Sequence, residues 1–290
     1  MLRTAFFFLL TLFTSTGTRA GIMPEDNGFL RNVIYEKADS VEVESLLRAE
    51  TGTNDVLFYA RRFVGRPYVA HTLEMSDPEQ LVVNLRAFDC TTLVETVLAL
   101  ARTRREGGKT FAAFLRNLEK FRYRGGKMDG YLSRLHYFSQ WWHDNTDKGL
   151  IIPVENERYF TAPLVVRNHY MSRHPERYTM LVAHPEWTDS IAHLERASNG
   201  PDGHYLPKSR TGLSRAVLSC IHDGDLAAIV TTKDGLDYAH LGFVVWGADG
   251  RLHLLNASSV HKKVVEEAKT LQQYLAGIKS STGIRLWRLQ

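Results

Sequence analysis

Apolar residues in the first half of the chain recur at the spacing of one helical face. Over 54–64 they occupy Val56, Leu57, Ala60, Phe63 and Val64, behind an Asn54 suited to cap a helix and ahead of Gly65, which ends it. Arg66-Pro67-Tyr68 then turns the chain. From Cys90, the residues Leu93, Val94, Val97, Leu98 and Ala101 predict an amphipathic helix with Cys90 in its first turn on the apolar face. Arg102, Arg104 and Arg105 near its end suit the negative pole of the helix dipole. Further helices are predicted over roughly 110–121 and 131–143, separated by the turn Gly125-Gly126-Lys127. From about 150 to 200 the pattern mixes loops with a helix near 187–197. Beyond Pro207 the period changes to two: 225–232, 240–246 and 251–257 predict short strands, the last two joined as a hairpin by Ala248-Asp249-Gly250. A helix near 264–275 and a final run over 284–289 close the chain. With no internal repeat or long linker, the pattern predicts one α+β domain.

Composition narrows the class. The 290 residues are 44% hydrophobic and 23% charged, with 21 Gly and 9 Pro, which excludes collagenous, disordered and many-span membrane chains. Residues 1–20 stand apart: Met1-Leu2-Arg3 precedes an apolar run over 6–13, and the segment turns small and polar up to Thr18-Arg19-Ala20. That pattern predicts a secretory signal peptide cut before Gly21, its apolar run being too short to span a bilayer stably. No cysteine lies near the cut to carry a lipid. The expected mature chain, 21–290, is exported, periplasmic or secreted, with no stable membrane anchor. Without Arg3 and Arg19 it carries 34 basic against 32 acidic residues, too small an excess for a dedicated nucleic-acid binder. The pattern is silent on oligomeric state.

Cys90 and Cys220 lie 130 positions apart. A bridge between them would be worth roughly 4–5 kcal/mol in the chain-entropy model, but a domain of this size does not need one. The alternative is a chemical thiol at Cys90 and a packed Cys220. A thiol at a helix N-terminus meets the positive pole and free amides, which lower its pKa from about 8.5 and can hold an oxyanion. It then needs a base.

Among 12 histidines, His240 opens a strand whose alternate residues Gly242, Val244 and Trp246 share its face, so a strand packed on the Cys90 helix would present it to the thiol. Across the hairpin, Leu252, Leu254 and Asn256 share a face, making Asn256 available to orient an imidazole or, equally, to satisfy a turn. His253 has the opposite parity. Tyr68 and Asp89 are candidates for substrate contact, although Pro-Tyr also makes turns and Asp89 also suits a helix cap. Arg134, His136 and Tyr137 fall on the helix predicted over 131–143 as a basic, aromatic cluster able to hold a carboxylate or sugar; the other reading is a snorkelling Arg and a core Tyr. Adjacent Trp141 and Trp142 point apart on a helix, so at least one belongs to the core. No His-Glu-x-x-His pair is present, and His184-Pro185-Glu186 lacks the paired cysteines of a deaminase-type zinc site, so the spacing asks for no metal or cofactor.

The flanking residues carry more than the triad. Phe63-Val64-Gly65-Arg66-Pro67-Tyr68, Asp89-Cys90-Thr91-Thr92-Leu93-Val94-Glu95, Gly224-Asp225-Leu226, His240-Leu241-Gly242 and Asn256-Ala257-Ser258 resemble, in order, the motifs of the NlpC-type papain-like cell-wall hydrolases. Arg122-Tyr123-Arg124-Gly125-Gly126, the stretch from Ser133 to Trp141, and Leu236-Asp237-Tyr238-Ala239 ahead of His240 are similar to the N-acetylmuramoyl-L-alanine amidase-like branch. The resemblance runs from about Asp55 to the C-terminus. It implies a papain-like core, in which a helix carrying the Cys packs on an antiparallel sheet carrying the His, with a mostly helical insert over about 106–210. It implies cleavage of the amide between the lactyl group of N-acetylmuramic acid and L-alanine in peptidoglycan fragments or muropeptides. Carried over, Cys90 is the nucleophile, His240 the general base and then acid, and Asn256 the orienting third residue, where many members carry a histidine. Val69-Ala70-His71 after the Pro-Tyr motif departs from the usual glycine pair. Two other functions remain open at this level: a γ-D-glutamyl stem-peptide endopeptidase and a non-catalytic wall-binding module.

Overall fold

A computed structural model describes residues 32–290, so the leader expected over 1–20 lies outside the described residues. The first helices begin where the sequence supplies a cap. α1 (Lys37–Arg48) is followed by α2 (Asp55–Arg62), where the Asn54 side chain accepts the Leu57 N–H at 2.8 Å. α3 (Cys90–Arg105) opens with a reciprocal box: Asp89 accepts the Thr92 N–H at 2.7 Å while the Thr92 hydroxyl accepts the Asp89 N–H at 3.0 Å. α4 (Phe111–Arg122) is capped by Thr110. A short parallel pair, β1 (Val33–Ile34) with β2 (Leu81–Val82), flanks these helices.

The helix expected over 131–143 is not continuous. Tyr131–Ser133 makes one 3-10 turn, residues 134–137 run extended, and α5 (Phe138–Asp147) starts only after them. The stretch finds its backbone partners on the end of α4 instead of in its own helix: the Leu135 N–H donates to the Arg122 carbonyl at 3.0 Å, and Arg134 bridges to Tyr123. Arg134, His136 and Tyr137 therefore lie on no common helix, and Arg134 and Tyr137, three apart, do not share a helical face. Trp141 and Trp142 are both buried.

The region expected as a mostly helical insert also supplies strands. Its strands β3 (Ile151–Pro153) and β4 (Ala162–Val166) precede the short helices α6 (Tyr170–Arg173), α7 (Thr179–Ala183) and α8 (Thr188–Ala197), and β5 (Gly200–Pro207) follows them. These strands join β6 (Leu226–Thr231), β7 (Tyr238–Trp246), β8 (Leu252–Ser258), β9 (Lys263–Glu266) and β10 (Ser281–Leu289) in an eight-stranded antiparallel sheet. Its order is β4-β5-β10-β6-β7-β8-β9, with β3 also on β10. The helix expected over 264–275 shrinks to α9 (Leu271–Ala276), because the β-branched Val264-Val265 pairs with Asn256 and Ala257 and extends the sheet edge.

Both sheet faces are covered. Leu226, Ala228 and Val230 of β6, with Leu241, Phe243 and Val245 of β7, share a core with Leu93, Val94, Val97 and Leu98 of α3. Ala227, Ile229, Val244 and Trp246 pack with Leu271 and Leu275 of α9 on the other side. Burial on both faces is why 226–230 reads as an unbroken apolar run. Among the described residues, no helix is long and apolar enough to cross a membrane.

Candidate active site

One cleft of about 420 Å³ is lined by Cys90 and His240 together with Tyr68, Asp89, Arg134, His136 and Tyr137. Asn256 is fully buried behind it. The route by which His240 arrives differs from the expected one, since α3 shares a core with Leu241, Phe243 and Val245, the parity opposite to Val244 and Trp246. β7 has one extra residue, Ala239, between the pairs Tyr238 with Val230 and His240 with Ile229. Such a bulge bends a strand and re-aims the next side chain. The Leu241 backbone, one residue on from His240, lies close enough to the Cys90 thiol to favour its ionised form.

The His240 Nε2–H donates to Asn256 Oδ1 at 2.9 Å. Gly242 gives this contact its room: a Cβ there would stand 2.6 Å from the Leu255 carbonyl and 3.0 Å from Asn256 Cβ. Gly242→Ala is expected to destabilise the protein by about 1–3 kcal/mol and to displace Asn256, read as a lower melting temperature together with reduced turnover.

Charge in the cleft departs from expectation at the thiol. Cys90 is partly exposed at the cleft surface yet enclosed by protein. Burial first, and then the Asp89 carboxylate, push its pKa up to about 12, outweighing the Leu241 N–H, the Thr91 hydroxyl and its own N–H, which act the other way. The helix start alone does not ionise it. Burial also lowers His240, and its bond to Asn256 and the charges of Glu267 and Asp89 only partly offset this. Both shifts favour the neutral forms, a thiol and an imidazole that line the same cleft.

A base with a depressed pKa stays unprotonated to lower pH, so the acid limb of kcat/KM is expected below the ordinary histidine value of about 6.5. A pH profile on a fixed substrate measures it; a limb above 6.5 contradicts the assignment. Alkylation of Cys90 by iodoacetamide at pH 7 is likewise expected to be slower than that of a model thiol of pKa about 8.5, read by mass spectrometry.

The remaining candidates are gathered into the cleft but largely occupied. Asp89 is the α3 cap. Arg134 is buried against Glu74, with Glu79 at 3.7 Å, and donates to the Leu73 carbonyl at 3.1 Å. The His136 ring bonds the Tyr131 carbonyl at 2.9 Å, and burial lowers its pKa to about 3, leaving it neutral. The Tyr137 hydroxyl donates to Glu195 at 2.7 Å and accepts the Met171 N–H at 2.9 Å. Tyr68 lies near Cys90 and Asp89, and burial first, then the Asp89 carboxylate, raises its phenol. Arg134, His136 and Tyr137 therefore shape one wall, and Tyr68 lies in the same cleft beside Cys90 and Asp89.

Sequence reasoning missed Glu267, whose carboxylate accepts from Asn256 Nδ2 at 3.4 Å. It also missed the buried pair of Glu95 and Arg122 beneath the cleft, 2.7 Å apart. A glutamate directly after the sheet-edge strand and an arginine at the end of a helix read as surface charges in one dimension. Both cysteines are free, and Cys220 packs against the second core. Among the described residues, no group of three or more His, Cys, Asp or Glu side chains is arranged to hold a metal ion. A larger groove beside α2 holds Arg61, Arg105 and Arg288, each paired with a carboxylate, and contains neither Cys90 nor His240.

The family model described as AmiA-like, N-acetylmuramoyl-L-alanine amidase-like, matches residues 59–284, which include the whole of this cleft. The chain belongs to that family. An N-acetylmuramoyl-L-alanine amidase from Bacteroides uniformis is 40% identical, with a TM-score of 0.75 over 81% of this chain and 97% of its own. A Bacteroides fragilis protein provisionally named a xylanase is 41% identical, with a TM-score of 0.73 over 80% of this chain and 99% of its own. A Legionella pneumophila protein at 22% identity shares the fold, with a TM-score of 0.66 over 87% of this chain and 95% of its own. No curated protein matches the chain.

Proposed function

We propose that the protein is a peptidoglycan hydrolase that cleaves the amide between the lactyl group of N-acetylmuramic acid and L-alanine, with Cys90 as nucleophile, His240 as base and then acid, and Asn256 as the orienting residue. The observation that carries the reading is one cleft lined by Cys90 at the start of α3 and by His240, whose Nε2 is held by Asn256 at 2.9 Å. We read a helix bearing the thiol against an antiparallel sheet bearing the imidazole as a papain-like arrangement of the NlpC type. Residues 1–20 serve as the export leader, and 21–290 act as one domain in the compartment where wall fragments lie.

Because burial favours the neutral form of both groups, proton transfer accompanies attack. His240 takes the thiol proton as sulfur adds to the lactyl carbonyl, and the free N–H groups at the start of α3 receive the oxyanion. The tetrahedral intermediate collapses as imidazolium protonates the alanine nitrogen, releasing the peptide and leaving a muramoyl thioester. His240 then deprotonates water, which displaces the thiol and leaves a muramoyl carboxylate. Wall contacts with the sugar and peptide fall to the cleft around Tyr68.

Glycoside cleavage, the chemistry suggested by the name of the B. fragilis protein, needs two carboxylates free to act on one bond. Here Asp89 caps α3, Glu95 is held by Arg122 and Glu74 by Arg134. The test is incubation with a defined disaccharide peptide in H₂¹⁸O. The amidase reading expects intact stem peptide with a new L-alanine amine and ¹⁸O in the muramoyl carboxylate. A cut within the peptide, a cut between sugars, or no turnover overturns it.

A further inference from the structure

Three polar side chains stand in line behind His240, and the last is exposed. Asn256 Oδ1 accepts from His240 at 2.9 Å, Asn256 Nδ2 donates to Glu267 Oε1 at 3.4 Å, and His261 Nε2 stands 3.3 Å from Glu267 Oε2. Glu267 is 7% exposed and held by its backbone, whose N–H donates to the Leu254 carbonyl at 2.9 Å. Its neighbour Glu266 turns outward to Arg61. The charged or titratable groups facing Glu267 are His261 on the β8–β9 turn, His253 on β8, whose Nδ1 lies 3.0 Å from the Glu267 carbonyl, Tyr274 on α9 and, through Asn256, His240 on β7.

An asparagine amide has two ends of opposite character, and rotation by half a turn exchanges them. With oxygen toward His240, the ring must carry its proton on Nε2, which leaves the Nδ1 lone pair for the thiol. With nitrogen toward His240, Nε2 must accept, the proton moves to Nδ1, and the ring cannot take a proton from sulfur through that atom. Asn256 alone does not choose between these states. An ionised carboxylate does, because it only accepts and so draws the Nδ2 end of the amide.

We propose that Glu267 is a positioning residue for the reaction: by holding the Asn256 amide in one orientation it selects the His240 tautomer with the proton on Nε2. This rests on the Cys90 and His240 reading above. Neither the sequence pattern nor the motif resemblance pointed to Glu267, which reaches the site only because β9 pairs with β8 and brings the chain back beside Asn256. His261 caps the outer carboxylate oxygen and acts one step further back.

Glu267→Gln preserves shape but can present an amide N–H to Asn256 Oδ1, which turns the asparagine over. It is expected to lower kcat by about 10- to 100-fold with little change in KM, and to move the acid limb of the pH profile to lower pH because a nearby negative charge is lost. The exchange variant N256D/E267Q puts the carboxylate directly on His240 and a donor behind it. It is expected to recover turnover above both Asn256→Asp and Glu267→Gln, a rescue that a merely structural role would not produce. Histidine-ring ¹⁵N–¹H spectra of the native protein are expected to show His240 protonated on Nε2. The proposal is overturned by a Glu267→Gln enzyme with kcat and acid limb unchanged, by an exchange variant no better than the singles, or by a native Nδ1–H ring. If Glu267→Gln does not fold, the native spectrum still decides. Activity surviving in Cys90→Ala would remove the functional reading but leave the tautomer result standing, so the two failures are distinguishable.

Discussion

Replacing Cys90 by alanine is expected to lower kcat for peptide release by at least about 10⁴-fold while the protein stays folded. The loss is large because the reaction proposed here runs through a bond to sulfur. What remains is water attack assisted by the helix-start amides and by binding. Folding survives because the α3 cap is made by Asp89 and Thr92, with no part played by the Cys90 side chain. The melting temperature is therefore expected within about 2 °C of the native value. Cys90→Ser tests the same step differently. A hydroxyl at that place still has His240 to accept its proton but attacks poorly, so activity is expected to be low and measurable. Turnover of Cys90→Ala within tenfold of native, on purified protein and a defined muropeptide, would mean that another group attacks the carbonyl.

Arg122→Ala is the change expected to cost most in stability, about 3–5 kcal/mol. Arg122 and Glu95 are each 2% exposed and meet at 2.7 Å; the guanidinium also donates to the Val82 carbonyl at 2.6 Å, and Trp141 donates to the other oxygen of Glu95 at 3.2 Å. Burial raises the Glu95 carboxyl and Arg122 opposes that rise, so removing the arginine leaves burial unopposed. The pair ties α3 to α4, with Glu95 little more than one turn beyond Cys90, so turnover is expected to fall with stability. At roughly 2–4 °C per kcal/mol for a domain of this size, the melting temperature should drop by about 10 °C. Replacing both partners by apolar residues, as in Glu95→Leu with Arg122→Met, should cost much less, because no charge is then left alone. A single variant that melts within 2 °C of native would show that the pair contributes little to the fold.

The elements that could be read from the chain are those whose determinants are local. α3 is set by Leu93, Val94, Val97 and Leu98 on one stripe and by Asp89 and Thr92 at its start. The β7–β8 hairpin follows from alternation and the turn at Ala248-Asp249-Gly250. Residues 134–137 and 264–266 fall within stretches whose pattern is compatible with a helix. In the folded chain they run extended because partners distant in sequence, Arg122 for one and β8 for the other, take up their backbone groups. The same limit applies to side chains. Arg134, His136 and Tyr137 look like free binding groups in one dimension, and it is Glu74, Tyr131 and Glu195 that occupy them.

By itself the amino-acid sequence determined the helix that carries Cys90, the strand that carries His240, the hairpin that brings Asn256 across, and the motif order that resembles a muramoyl amidase. These depend on residue period, caps and turn chemistry, all acting over a few positions. The tertiary structure alone decided that burial raises the thiol, that a bulge at Ala239 precedes the imidazole, and that Glu267 stands behind Asn256. Desolvation and pairing are properties of the space around a group, and that space is built by segments that only folding brings together.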